Sequence, residues 1–334
     1  MIAGEGKVRG TSGWALGMGL AIMALATCVA HAADGQEAYP VKPVKVIVPF
    51  PPGGATDVLA RMLAGKLGER WSQQVLVDNR PGAGGAIGIA AAARSPADGY
   101  TMLVAGPAFL VYRLYDEQPW DPLREFIPLT NAASDASVVI VHPSLATKTL
   151  KELVALARAN PGKLSFASAG SGTTPHLSME FVKAASGLAM THVPYQGANP
   201  AVTAVVANQV PLASVGQSGA AMQMIQAGKV RAIAITGPAR SPALPDVPTF
   251  QESGFNLTSE NINGLFLPAG TPAPVVDKVL GEVRQVLQAQ DVRQKLAAMG
   301  LESRGSSREE FVRTILAEIA QWRKLVKDAG IKPE

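Results

Sequence analysis

Along the chain, short β-branched runs alternate with longer stretches whose apolar positions fall three or four residues apart. Val44-Lys45-Val46-Ile47-Val48-Pro49-Phe50 has the pattern of a buried strand, closed by the turn Pro51-Pro52-Gly53-Gly54. Beyond it Leu59, Met62, Leu63 and Leu67 sit at helical spacing, with Asp57 placed to cap that helix. Val75-Leu76-Val77 predicts the next strand, followed by the turn Gly82-Ala83-Gly84-Gly85 and an alanine-rich helix through Ala93. Asp98-Gly99 then turns into the strand Thr101-Met102-Leu103-Val104. A strand-loop-helix alternation of this kind predicts a parallel sheet with helices on both faces.

The middle of the chain repeats this grammar. Val138 to Val141 reads as a strand, and Thr149-Leu150-Lys151-Glu152 as a capping box opening a helix that ends near Asn160-Pro161-Gly162. The strand Leu164-Ser165-Phe166-Ala167-Ser168 feeds Ala169-Gly170-Ser171-Gly172-Thr173-Thr174, and another helix follows. His192-Val193-Pro194-Tyr195 and Val230 to Ile235 are further strands around two short helices. The end is helical: Thr271-Pro272 starts one helix, Asp291 caps a second, and Ser307-x-x-Glu310 boxes a long terminal one. Phe311, Ile315, Ile319 and Trp322 form a stripe on that last helix, a packing face.

Composition and charge narrow the class. The chain has 334 residues, 47% hydrophobic and 17% charged, which suits two domains with cores of their own rather than a disordered chain. The formal charge of +4 comes without the Lys/Arg run of a nucleic-acid surface. At the N-terminus Lys7 and Arg9 precede an uncharged apolar stretch from Trp14 to Ala30, and Ala30-His31-Ala32 has the small-x-small form of a signal-peptidase site. Residues 1–32 are therefore expected to be a cleaved export signal. Thr27 before Cys28 argues against lipid anchoring at that cysteine. Cleavage leaves no cysteine, which fits the oxidising bacterial periplasm.

Several chemistries lose their footing. The histidines beyond residue 32 are His142, His176 and His192, with no zinc-site spacing. No Gly-Lys pair continues into Ser or Thr as a phosphate cradle would, so no cofactor is expected. Gly216-Gln217-Ser218-Gly219-Ala220 narrowly misses the nucleophile elbow of a serine hydrolase, for which Ser218 or Ser171 would be the nucleophile. What remains is uncharged. The loops from Pro51 to Thr56 and from Ser168 to Thr174 each join a strand end to a helix start, where backbone N–H groups and the helix dipole converge. Two such loops facing each other make a cleft for an acid group at each end. Two ordinary β-α turns account for the same residues equally well.

A set of segments decides between these. In order along the chain they are Val48-Pro49-Phe50-Pro51-Pro52-Gly53-Gly54-x-x-Asp57, Asn79-Arg80-Pro81-Gly82-Ala83-Gly84-Gly85, Pro96-x-Asp98-Gly99-Tyr100-Thr101 and Pro161-Gly162-Lys163-Leu164. His192-Val193-Pro194-Tyr195-x-Gly197, Arg240-Ser241-Pro242-x-Leu244-Pro245 and Pro268-Ala269-Gly270-Thr271-Pro272 complete it. Together they resemble the extracytoplasmic solute receptors of tripartite tricarboxylate transporters, the Bug or TctC family.

The resemblance implies an α/β, two-lobed periplasmic binding protein of the Venus flytrap type, each lobe a mixed sheet flanked by helices. Lobe one would be 39–139 with 263–334, and lobe two 140–262. It implies a monomeric receptor that closes on a small aliphatic, amino-acid or aromatic carboxylate and delivers it to membrane permease subunits, without catalysis, metal or nucleic acid. A sensor role, passing the loaded state to a membrane kinase, is the alternative within the same fold. Carried onto this chain, Phe50, Gly54, Ala55 and Thr56 would form one wall, with Asp57 either bracing the loop or touching ligand. Ser168, Gly170, Gly172, Thr173 and Thr174 would form the other, with His176 near the cleft and Tyr195 as a donor. The chain departs from its relatives at Pro211 to Ser218, which puts Gln217 and Ser218 among the candidates, and at Asn261-Ile262-Asn263-Gly264. Both stretches are expected to line the pocket.

Overall fold

The computed structural model describes residues 1–6, 39–106, 122–217 and 219–329. Of the export signal expected at 1–32, only the first six residues are among these, and Cys28 and Ser218 lie outside them. Met1–Val41 is a unit of its own, and the architecture below is that of Lys42–Glu334.

The first elements are β1 (Val44–Val48), α1 (Ala55–Trp71), β2 (Val75–Asn79), α2 (Ala86–Ala93) and β3 (Thr101–Ala105). β1 lies between β2 and β3 and is parallel to both, as strands joined by crossover helices must be. A short helix α3 (Pro122–Glu125) leads into β4 (Phe126–Val141), a strand of 16 residues of which the hydrophobic pattern reveals only the end. Next come α4 (Leu150–Ala159), β5 (Leu164–Ser168), α5 (Thr174–Ser186), β6 (Met190–Pro194), α6 (Ala198–Val206), β7 (Leu212–Gly216), α7 (Ala220–Gln226) and β8 (Arg231–Ile235). The chain then returns through β9 (Glu260–Pro268), α8 (Ala273–Gln288), α9 (Gln290–Ala298), β10 (Glu302–Ser303) and α10 (Arg308–Ala329).

β4 belongs to two sheets. From Phe126 to Ala136 it runs antiparallel to β9, which in turn pairs with β3. From Ser137 to Val141 it runs antiparallel to β7 and β8, while β5 pairs in parallel with β6 and β7. Each sheet is therefore parallel in its outer strands and antiparallel where it meets β4. The simple alternation predicts a purely parallel sheet; the antiparallel returns of β9 and β7 make it mixed, as the family resemblance implies.

The apolar faces separate into cores along the same division. Ile47, Leu103, Phe126, Phe266, Phe311 and Ile315 pack around the first sheet. Val139, Phe166, Leu177, Met179, Trp322 and Val326 pack on the second. The stripe on α10 is packing, as its spacing predicts, and it serves both cores in succession. Thr149 and Ser307 accept the N–H groups of Glu152 and Glu310, the forward bond of each capping box, while the Glu152 carboxylate takes the N–H of Lys148 rather than that of Thr149. Asp57 and Asp291 are not cap residues: their helices start at Ala55 and Gln290, placing each acid in the first turn, where the helix dipole favours it.

Where α10 passes between the cores, Glu318 accepts the indole N–H of Trp322 at 2.7 Å. Burial pushes its carboxyl up, that N–H pulls it partly back, and the charge of Glu260 adds to the rise, leaving it at about 7. A folded-state value above the unfolded one favours the fold fully below about pH 4.5, and the gain is lost as pH rises through 7. Glu318→Gln keeps an acceptor for Trp322 and removes the charge. Thermal melts should show it more stable than the parent at pH 8 by roughly 1–3 kcal/mol, with the difference shrinking toward pH 4.5. A difference independent of pH would contradict this origin.

Candidate functional site

The loop between β1 and α1 is held by one buried carboxylate. Asp57, 2% exposed, accepts the N–H of Gly53 at 2.9 Å, the guanidinium of Arg61 at 2.9 Å and the amide of Asn79 at 2.8 Å. Asn79 also donates to the Phe50 carbonyl, so the turn is tied to the end of β2. Burial pushes the Asp57 carboxyl up, but the Arg61, Gly53 and Asn79 bonds together outweigh it and hold it below the usual value. Asp57 is thus the brace of the loop, one of its two expected roles.

The loop between β5 and α5 rests on two histidines. Ser168 bonds the ring of His192 at 2.7 Å and accepts the Gly170 N–H. Thr173 donates to the Gly170 carbonyl at 2.7 Å, and Gly172 donates its N–H to Nδ1 of His176 at 3.0 Å. That last bond assigns Nδ1 as an acceptor and puts the imidazole proton on Nε2. The His176 and His192 rings stack 4.0 Å apart, and Phe166 lies against His192 at 4.9 Å. These aromatic rings form the floor beneath the loop.

Between the loops is a cavity of about 110 Å³. Phe50, Pro51, Pro52, Gly54, Ala55 and Thr56 line one side, and Ala169, Thr173, Thr174 and Pro175 line another. Gly197, Ala198, Asn199 and Pro200 add the start of α6, while Asp135, Gly216, Asn261, Ile262 and Asn263 come from the strands where the sheets meet. Six expected site residues therefore lie on the cavity: Phe50, Gly54, Ala55, Thr56, Thr173 and Thr174. Asp57, Ser168, Gly170, Gly172 and His176 stand behind the walls in the bonds just given. Tyr195 packs against the apolar cluster of the second sheet. Gln217 donates its N–H to the Ala136 carbonyl, and its side-chain amide bonds the Ser241 hydroxyl. Asp135 and Ala198 to Pro200 carry no local signal in the sequence; Gly197 closes one of the quoted segments, and Gly216 and Asn261 to Asn263 fall within the two stretches expected to line the pocket.

Three helices begin at this cavity. The cap residues of α1, α5 and α6 are Gly54, Thr173 and Gly197, and none supplies a side-chain acceptor to its first turn. The positive ends of three helix dipoles and their unclaimed N–H groups therefore point at one space. Thr56 donates to Asn263 Oδ1 at 2.7 Å, linking the start of α1 to β9. Among the described lining residues there is no Lys, Arg or His. An anion held here is held by amides, hydroxyls and dipoles. Among the described residues no group of three His, Cys, Asp or Glu could hold a metal ion.

Two mixed sheets sharing a strand, with a cavity at helix starts where they meet, define a periplasmic binding protein of the two-lobed class. Residues 59–331 match the tripartite tricarboxylate transporter family receptor, and the chain belongs to that family. It is 33% identical to the protein BugT of Bordetella pertussis over 312 residues, covering 92% of this chain and 95% of BugT. A structure from R. palustris determined with adipate superposes with a TM-score of 0.84 at 33% identity, covering 89% of this chain and 100% of that one. MatC from Rhodopseudomonas palustris with bound malate gives 0.81 at 28% identity, covering 86% and 100%. The family is one of substrate-binding receptors, and among the described residues no helix is long and apolar enough to cross a membrane.

Asp57→Asn removes the ion pair with Arg61 and the charge that holds the Gly53 N–H. It should cost about 1–3 kcal/mol at neutral pH. Because the folded-state value of Asp57 is lowered, its contribution is complete above the ordinary 3.8 and is lost as pH falls below that. Denaturant melts at pH 7 and pH 3 check this; an equal cost at both would place the effect elsewhere.

Proposed function

We propose that this protein captures a small carboxylate in the cavity by closing two lobes built on the two sheets, and delivers it to the permease subunits of a tripartite tricarboxylate-type transporter. The observation that carries the reading is the meeting of three helix N-termini at one cavity, with no lysine or arginine among its described lining residues. The adipate and malate bound by the two R. palustris relatives support the ligand class. The export signal expected at residues 1–32 would place the mature chain in the periplasm, where such a receptor works.

Each charge-assisted hydrogen bond to a carboxylate contributes about 1.5–3 kcal/mol, so a few of them offset the cost of association and leave micromolar binding. Closure follows because a ligand touching both loops stabilises the closed form over the open one by those contacts. Neither step involves covalent chemistry, so the protein acts as a receptor and not as an enzyme.

A thermal-shift panel of citrate, succinate, malate, adipate, benzoate and nicotinate, with neutral sugars as controls, tests this. An acid at about 100 times its dissociation constant should add roughly 2.7 kcal/mol, several degrees in melting temperature, while sugars leave it unchanged. A flat response to every acid in folded, ligand-free protein would overturn the reading. Thr173→Val removes the hydroxyl that lines the cavity and ties the loop to Gly170. Calorimetry should find affinity for a binding acid reduced several-fold in a variant that still folds, its melting temperature lowered by no more than the loss of one hydrogen bond; unchanged affinity would remove this loop from the site.

A further inference from the structure

A second cavity, of about 710 Å³, adjoins the first across β9, and the buried Ile262 of that strand lines both. Asn131 reaches it from β4, Arg284 from α8 and Arg304 from the end of β10. The first half of α10 closes it. None of these side chains touches the site described above.

The charges of this cavity do not balance. Its described lining carries four carboxylates, Glu260, Glu302, Glu310 and Glu318, against the guanidiniums of Arg284 and Arg304. Arg304 is fully engaged: it pairs with Glu260 at 2.9 Å and Glu302 at 3.0 Å, and donates to Ser134. Arg284 makes no ion pair among the described residues. Glu310, Thr314 and Glu318 follow at four-residue steps, so one face of α10 turns the two remaining acids into the cavity. They lie about 12 Å apart along the helix axis. Glu318 accepts the Trp322 indole N–H but has no ion pair among the described residues, and burial with the charge of Glu260 raises its carboxyl.

Acids on the face of a helix are by themselves no more than a solvated surface. Asn131 is an observation of a different kind. It is 8% exposed, lines the cavity, and its buried Oδ1 has no hydrogen-bond partner among the described residues. A buried acceptor without a donor is costly. Asn131, Glu310 and Glu318 are all acceptors, and a donor with positive charge completes each of them. An ammonium group brings three donors and that charge. Among the described residues no three acids or histidines come together to hold a metal ion, and the spacing of Glu310 from Glu318 suits two separated charges on one chain.

We infer that this cavity is a second binding site, for a linear polyamine, with its ammonium groups on Glu310 and Glu318 and Asn131 as a further acceptor. The site is separate from the carboxylate cavity and does not rest on the reading given to it.

Calorimetry on the wild-type protein at matched ionic strength tests it, with 1,6-diaminohexane and spermidine against n-hexylamine and 1,6-hexanediol. The diamine and spermidine should each saturate one site. Hexylamine should bind at least about fivefold more weakly than the diamine, since it meets one acid of the two, and the diol should not bind. Glu318→Gln should weaken the diamine at least about fivefold, and Glu310→Gln, at an exposed position, at least about twofold. No saturable amine binding, or a diol that binds as well as the diamine, would overturn the inference. So would diamine affinity unchanged in both variants, or many weak sites that disappear together as salt is raised. Because Glu310→Gln replaces an exposed side chain, the assignment stays testable even if Glu318→Gln does not fold. Failure here leaves the carboxylate reading untouched, and a flat response to every acid leaves this one standing.

Discussion

The architecture depends on one strand being unable to choose a single sheet. β4 exchanges β9 for β7 and β8 between Ala136 and Ser137. A continuous strand must satisfy its backbone groups on both edges along its whole length, so the two sheets are joined through a hydrogen-bonded ladder instead of a loose linker. At the exchange Gln217 gives its N–H to Ala136, and Thr236 both donates to the Ser137 carbonyl and accepts the Ser137 N–H. Register brings Asp135, Ser137 and Asn261 together at this crossing, and Ser137 donates to Asn261 Oδ1. The cavity opens where it does because the strands end their pairing there and the helices that follow β1, β5 and β6 begin there.

The same constraint shapes what can move. α10 lays Phe311, Ile315 and Ile319 on the first core and Trp322, Leu325 and Val326 on the second. A change in the angle between the sheets must be absorbed by β4, by β9 and by this helix together. Glu318, with its raised carboxyl beside Glu260, lies on that path. The loops, by contrast, are fixed to their own sheets, the first by Asp57 and the second by the His176–His192 stack. On the proposed reading, walls fixed to their own sheets let the two lobes close without remodelling the site.

The fold was legible in the sequence where punctuation is local. Pro51 to Gly54 and Gly170 to Thr173 announce strand-to-helix turns, and the first of these lies on the cavity, where the resemblance and not the pattern puts it. The boxes at Thr149 and Ser307 likewise need only three residues of context. β4 was mostly hidden because Asn131, Ser134 and Asp135 interrupt its apolar run, although the structure buries all three. Strand patterns report a face turned to water, and this strand is covered on both. Asp135 and Asn261 could not be paired from sequence, since only the antiparallel register brings these distant positions opposite each other. His176 and Tyr195 were drawn toward the cleft by their chemistry, whereas packing uses His176 as the support of a loop and sets Tyr195 against another apolar cluster of the second sheet.

The central claim is that a single ligand is held by both loops at once. Amide hydrogen exchange with and without an acid that raises the melting temperature tests it most directly, because each loop reports separately. The account predicts that the amides around Gly53 to Thr56 and those around Gly170 to Thr174 gain protection together, at the same ligand concentration. Protection confined to one loop, or appearing only at surfaces away from both, would contradict it.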